Sequence, residues 1–226
     1  MIRAVVFDLW NTLVRSQKGS PFRRIQGLLH PSQAPVVDAF MWDSMRRPYP
    51  DSGAFLGAWR NTLHFDREQM TAIQAAFQEA ARDAELFPET LEVLDRTRSL
   101  ARTALLSNTQ AFDMELLEQL GISARLRLRV LSADIGHLKP EPEAFAAVQS
   151  RMGLFPGNLV MVGDSWRDDV EGALAAGWMA IWINRGGLPR PDLDPEASFL
   201  ELPDLSRVPE VIERLQAGAR CSTCLG

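Results

Sequence analysis

Val5-Val6-Phe7-Asp8-Leu9-Trp10-Asn11-Thr12-Leu13 is the stretch from which the architecture of this chain can be read. A short apolar run, rich in β-branched residues, ends at a carboxylate and passes into a polar turn. That is the pattern of a strand buried on both faces. Open α/β sheets bind their ligands outside the carboxyl ends of such strands, and a carboxylate standing there can act as a nucleophile. Asp8 is therefore the first candidate functional residue.

Moving outward, apolar runs at 2–7, 102–106, 128–132, 159–162 and 179–183 predict five short strands. Helical spacing lies between them at 89–100, 111–120, 141–152 and 168–176. Strand and helix in alternation predict an α/β fold: a Rossmann-like parallel five-stranded sheet with helices on both faces, joined by right-handed crossovers. One segment breaks the alternation. Residues 15–87 contain no convincing buried strand, but 36–46, 52–63 and 67–84 have helical spacing, punctuated by prolines. About 70 residues exceed an ordinary crossover, so an inserted helical subdomain is expected over 15–87, and an α/β core over 1–14 and 88–226. The alternative is that these helices pack into one common core. From Leu188 the sequence reads as irregular chain, then a short helix at 208–216.

With 226 residues, 46% hydrophobic and 23% charged, the chain is long enough to bury a sizeable core and has ordinary globular usage. A net charge of −5 gives no global attraction to nucleic acid or to an anionic membrane. No apolar run approaches the roughly 18 residues of a membrane span, and an apolar strand starts at Ile2, so a cytoplasmic protein is expected. Cys221 and Cys224 form one Cys-x-x-Cys at the tail, at most half of a tetrahedral zinc site.

Four strand ends carry candidate chemistry: Asp8-Leu9-Trp10-Asn11-Thr12, Leu105-Leu106-Ser107-Asn108-Thr109, Gly136-His137-Leu138-Lys139-Pro140-Glu141-Pro142, and Val162-Gly163-Asp164-Ser165 followed by Asp169. In this order and spacing they resemble the haloacid dehalogenase superfamily, mainly phosphatases that work through an aspartyl-phosphate. The resemblance implies that 15–87 is a helical cap, with hinges near 14–18 and 87–89, and that the substrate is a small phosphorylated metabolite. Asp8 is the implied nucleophile. Ser107, with Asn108 shaping its turn, would hold the transferring oxygens, and Lys139 would neutralise charge on Asp8 and the phosphoryl group. The implied cofactor is Mg²⁺, a hard cation suited to oxygen ligands, held by Asp8, the Trp10 carbonyl, Asp164 and Asp169. Asp169 is preferred over Asp168 because the family's longer spacing places the second acid five residues after the first.

Trp10 departs from the phosphatase pattern, which has an Asp there to protonate the leaving group and later activate water. Indole can do neither. General acid–base catalysis contributes roughly 10²–10⁴-fold, about 3–5 kcal/mol of barrier, so weakened turnover is expected. Asp8, Asp164, Asp169 and Lys139 carry a net charge of −2, which Mg²⁺ would cancel. Two other activities stay open: a metal-independent 2-haloacid dehalogenase, whose branch of the superfamily has an aromatic residue at this position, and a phosphoryl-group-binding member with feeble turnover. Arg23, Arg24, Arg46 and Arg47 are candidates for an anionic remote group, or for a solvated face. Trp42 and Trp59 are candidates for a pocket wall, or for core. The sequence assigns no oligomeric state.

Overall fold

The computed structural model describes residues 1–30, 33–189 and 198–221. In chain order the elements are β1 (Ala4–Phe7), β2 (Val14–Ser16), α1 (Pro21–Leu28), α2 (Ala34–Ser44), α3 (Ser52–Leu63), α4 (Arg67–Arg82) and β3 (Ala84–Leu86). There follow α5 (Thr90–Leu100), β4 (Arg102–Ser107), α6 (Leu116–Gln119), β5 (Leu128–Leu131), α7 (Ser132–Ile135) and α8 (Pro142–Met152). The last are β6 (Leu159–Gly163), α9 (Gly172–Ala175), β7 (Met179–Ile183), β8 (Phe199–Leu202) and α10 (Val208–Cys221).

Six strands pair in parallel in the order β5-β4-β1-β6-β7-β8. The fold class expected from the sequence holds, with one more strand than the five expected. The addition is β8, an edge strand in which Phe199 is half-buried and Leu200 and Glu201 are exposed. An edge strand needs no continuous apolar run, which is the signal that revealed the others. β1 lies at the switch point: the chain next enters the sheet on one side as β4 and later on the other as β6, which opens a crevice at their carboxyl ends.

Side chains alternate across the sheet. Val5 and Phe7 join the apolar layer with α5, α6 and α10, whereas Ala4 and Val6 join the opposite layer with α8 and α9. Each such fully buried Val or Phe contributes about 1.5–3 kcal/mol of transfer free energy. Close packing on the α8–α9 side depends on Gly172, where a Cβ would stand 2.6 Å from the Phe145 ring.

Helices α1 to α4 enclose an aromatic cluster of their own, in which Phe40, Phe55 and Phe77 are fully buried. Trp59 packs against it and donates its indole N–H to Asp43 at 2.7 Å, while Trp42 remains half exposed. No strand of the segment 15–87 is buried along its length, but two short ones fall at its bounds: β2 and β3 pair antiparallel, Val14 opposite Leu86 and Ser16 opposite Ala84. Each is three residues long, too short to show a period. They run side by side where the chain enters and leaves the helical segment.

Two helix expectations also change. Over 111–120 only α6 is helical, because Asp113 takes φ +58° and the preceding residue, Phe112, turns into the aromatic cluster of α1–α4. The first part of 168–176 is a π-helical turn at Trp166–Glu171, which precedes α9. Hydrophobic periodicity cannot separate these turns from an α-helix. Cys224 lies outside the described residues. Among the described residues no helix is long and apolar enough to cross a membrane.

Candidate active site

Three adjacent strands deliver the site. Asp8 follows β1, Ser107 ends β4 and Asp164 follows β6, and register alone sets them side by side: Phe7 pairs with both Leu105 and Val162. The Asp8 amide donates to the Val162 carbonyl at 2.9 Å. After Asp8 the chain reverses through Asn11, whose φ of +60° is a left-handed conformation that Asn tolerates better than most residues.

Lys139 reaches this crevice from the loop after α7, and its ammonium is buried between two carboxylates, 2.7 Å from Asp8 Oδ1 and 2.6 Å from Asp169 Oδ1. Burial by itself lowers the Lys139 pKa. The charges of Asp169 and Asp8, with their hydrogen bonds, outweigh it and hold the group above its ordinary value, so it is a fixed cation. Asn108 secures this loop: its side-chain amide donates to the Lys139 carbonyl at 2.8 Å and its oxygen accepts from the Lys139 amide at 2.7 Å. Both ends of the Asn108 side chain are thus engaged in positioning the lysine.

Asp169 is placed by the π-helical turn. Ser165 caps it, accepting from the Asp168 amide at 3.2 Å, and its own amide donates to Asp169 Oδ2 at 3.0 Å. The wide turn folds Asp169 back over Gly163, where a Cβ would lie only 2.1 Å from Asp169 Oδ2. Burial pushes the Asp169 carboxyl up to about 6 against the pull of Lys139, which leaves it ionised at neutral pH. Asp164 has no such partner. Its carbonyl accepts from the Trp182 indole at 3.0 Å, and the Thr12 hydroxyl reaches its side chain at 3.4 Å. Burial, then the charges of Asp8 and Asp169, push its carboxyl up to about 7.

Asp8, Asp164 and Asp169 each present a carboxylate oxygen within 4.8 Å of the others. Hard oxygen donors converging around a deficit of positive charge fit a divalent cation such as Mg²⁺. Asp8 and Asp164 have oxygens left for it, whereas both oxygens of Asp169 are already engaged by Lys139 and Ser165. Ser107 Oγ lines the same crevice and is buried with no hydrogen-bond partner among the described residues. Such an orphan costs about 1–3 kcal/mol, which a ligand oxygen would relieve.

A family model for haloacid dehalogenase-like hydrolases matches residues 2–177. The chain belongs to that family. Phosphoserine phosphatase of Thermus thermophilus is 34% identical over 140 residues, 61% of this chain and 53% of that protein, so the match spans about half of the relative's length. Glyceraldehyde 3-phosphate phosphatase of Methanopyrus kandleri is 27% identical over 82% of this chain and 85% of its own length. Among solved structures, a 2-haloacid dehalogenase from Pseudomonas syringae superposes with a TM-score of 0.71 at 22% identity, over 95% of this chain and 100% of that one, a likeness of fold.

In this hydrolase a second cavity adjoins the first. It holds about 240 Å³ between the β1 turn and the helical segment, and it shares Trp10, Asn11 and Asn108 with the carboxylate crevice. The Trp10 indole N–H donates to Thr109 Oγ1 at 3.3 Å. The remaining sequence candidates stand elsewhere. Arg24 pairs with Glu79, Arg47 with Asp43, and Arg46 with Glu141 and the Gly136 carbonyl, while Arg23 is exposed. Thr12, Thr109 and Ser165 stand within the strand-end motifs without a role assigned from sequence, and Asp168 stands as the alternative to Asp169. The residues that sequence reasoning missed are Phe22, Met45 and Gln110 of the adjoining cavity, which no motif spacing marks.

Proposed function

We infer that this hydrolase is a Mg²⁺-dependent phosphatase of small phosphate esters that acts through phosphorylation of Asp8. The observation that carries the reading is the convergence of three carboxylates, two of them held by one fixed ammonium and the third, Asp164, without an ion pair and pushed up to about 7. A metal-free site would gain nothing from Asp164. Beside Asp8 it opposes any anionic substrate, whereas with a cation it becomes a ligand. Asp8, Asp164 and the Trp10 carbonyl would hold Mg²⁺, with Asp168, or a water held by Asp169, completing the set. When bound, the ion supplies charge stabilisation to the transferring phosphoryl group.

The protein's own groups provide the rest. Lys139 holds Asp8 Oδ1 at 2.7 Å, which leaves the other carboxylate oxygen to act as nucleophile. Asp8 attacks phosphorus in line with the leaving oxygen, and the bond between them breaks as the aspartyl-phosphate forms. Lys139 and the Ser107 hydroxyl meet the charge on the equatorial oxygens. Water then displaces phosphate from Asp8. The helical segment over 15–87, entered and left through the paired β2 and β3, would act as a cap that excludes bulk water.

The test is phosphate release from an activated aryl phosphate with and without Mg²⁺. Release should require the ion and vanish in Asp8→Asn. The dehalogenase reading has one observation in its favour, the indole at position 10, and it predicts halide release from 2-haloacids in the presence of chelator. Against it, Lys139 is already shared by two carboxylates, and among the described residues the adjoining cavity offers no cation to a substrate carboxylate.

A further inference from the structure

The cavity beside Trp10 restricts which phosphate esters can be substrates, if the phosphatase reading holds. In an in-line displacement the leaving group departs on the side of phosphorus opposite Asp8. The space offered to it is the cavity that adjoins the crevice on the Trp10 side, sharing Trp10, Asn11 and Asn108 with it but not Asp8. Trp10, Phe22 and Met45 give this cavity its apolar walls, and its polar groups are the neutral side chains of residues such as Asn11, Thr109 and Gln110. Not one ionisable side chain lines it among the described residues.

Two consequences follow. No group there can hand a proton to a departing alkoxide. The indole N–H is not a useful acid and is engaged with Thr109, whose hydroxyl in turn donates to Gln110 Oε1 at 3.1 Å. Nor can any group there pair a charge on the departing fragment, and a carboxylate or ammonium buried without a partner is costly. The volume is also informative. A 150 Å³ apolar cavity is known to hold benzene, so about 240 Å³ admits one ring with a small substituent.

We propose that the substrates are phosphate esters of a weakly basic oxygen, aryl phosphates above all, whose remainder is uncharged and fits one ring beside Trp10. In the first displacement the Asp8 oxygen bonds to phosphorus and the phosphorus–oxygen bond of the ester breaks. Its electron pair leaves with the phenolate, which needs no proton. In the second, water bonds to phosphorus, the Asp8–phosphorus bond breaks to restore the carboxylate, and both water protons stay on the released phosphate. The same missing acid is a missing base for this second step, so the aspartyl-phosphate accumulates.

The experiment measures kcat/KM of the full chain with millimolar Mg²⁺ for nitrophenyl, phenyl and carboxyphenyl phosphates, simple alkyl phosphates, phosphoserine and phosphoglycolate. Expected is a fall of at least roughly 10²-fold from nitrophenyl to alkyl esters, the scale of a missing general acid. Carboxyphenyl phosphate should be poorer than phenyl phosphate, and rapid mixing should give a nitrophenolate burst close to one per enzyme. Trp10→Asp should restore alkyl esters more than aryl ones. The wild-type series stands alone if that variant does not fold. Alkyl or carboxylated esters turned over within about tenfold of nitrophenyl phosphate would overturn the proposal and leave the phosphatase reading intact. Halide release from 2-haloacids with no ester cleaved at all would overturn both.

Discussion

Replacing Gly163 by alanine tests the geometry of the site without removing a charged group. Gly163 ends β6, and a Cβ built on it would meet Asp169 Oδ2 at 2.1 Å, Cγ at 2.2 Å and Cβ at 2.7 Å. Real carbon contacts require more than 3 Å, so the Asp169 side chain must move by roughly an ångström or the end of the strand must yield. Asp169 cannot move without loss, because one oxygen holds Lys139 at 2.6 Å and the other holds the Ser165 amide at 3.0 Å. Breaking a buried ion pair costs about 3–5 kcal/mol, whereas the entropy gained by removing a glycine returns only about 0.4–1 kcal/mol.

The net effect should be a loss of about 2–4 kcal/mol, which lowers the melting temperature of a 226-residue chain by roughly 5–15 °C. Thermal unfolding read by circular dichroism measures it, with Gly157→Ala as the control. Nothing lies within 4 Å of a Cβ at Gly157, so that variant should melt within about 2 °C of the parent. Turnover of Gly163→Ala should fall by roughly 10²-fold or more as Lys139 loses its second anchor. A Gly163→Ala protein with parental melting temperature and turnover would refute the assignment of Asp169 as the lysine's holder.

Three further outcomes are expected. Asp164 has a folded-state pKa of about 7, above its ordinary value, so its contribution to stability is lost as pH rises from the usual carboxylate range through 7. Asp164→Asn should therefore stabilise the metal-free protein at pH 8 by about 2–3 kcal/mol, after allowance for partial exposure, and should abolish the Mg²⁺-induced rise in melting temperature, read by scanning calorimetry. Glu141 is held below its ordinary pKa, first by Arg46, so that pairing stabilises above the usual carboxylate range and is lost as pH falls through the depressed value. Arg46→Gln should flatten the acid limb of urea midpoints measured from pH 6 to 3. Arg185 donates to Thr12 O at 3.2 Å and to Glu89 at 2.7 Å, with its guanidinium 3.6 Å over the Phe87 ring, so Arg185→Ala should cost about 1–3 kcal/mol in urea unfolding.

How much of this was legible in the sequence depends on how each element is buried. β1, β4, β6 and β7 are covered on both faces and declare themselves as continuous apolar runs, and the motif residues at the ends of β1, β4 and β6 follow directly. β8 is half exposed, and β2 and β3 are three residues long, so none leaves a period to detect. The four strand-end motifs predicted that Asp8, Ser107, Lys139 and Asp164 would meet, and the structure gathers them around one crevice. What spacing could not tell is which oxygen serves which partner. Asp169 was placed in the site from its distance along the chain, and its hold on Lys139, which spacing does not reveal, depends on a π-helical turn and on the close approach to Gly163. Asn108 likewise reads as a turn residue, and only the fold reveals that its amide clasps the Lys139 main chain from both sides.

The arrangement around Asp8 divides two tasks that the phosphatase pattern joins in one residue. On the Asp164 side every group is charged or a strong donor, and these groups can hold a phosphoryl group through the whole reaction. On the Trp10 side the walls are neutral, so nothing distinguishes the leaving oxygen by its need for a proton except its own basicity. Asparagine or aspartate at position 10 would not be equivalent repairs: only aspartate can donate and then accept a proton, and it would also add a fourth carboxylate to a cluster that already keeps Asp164 near neutrality. A gain of acid catalysis in Trp10→Asp should therefore come with a stronger requirement for Mg²⁺, and the two effects are separable by titrating the ion at fixed substrate.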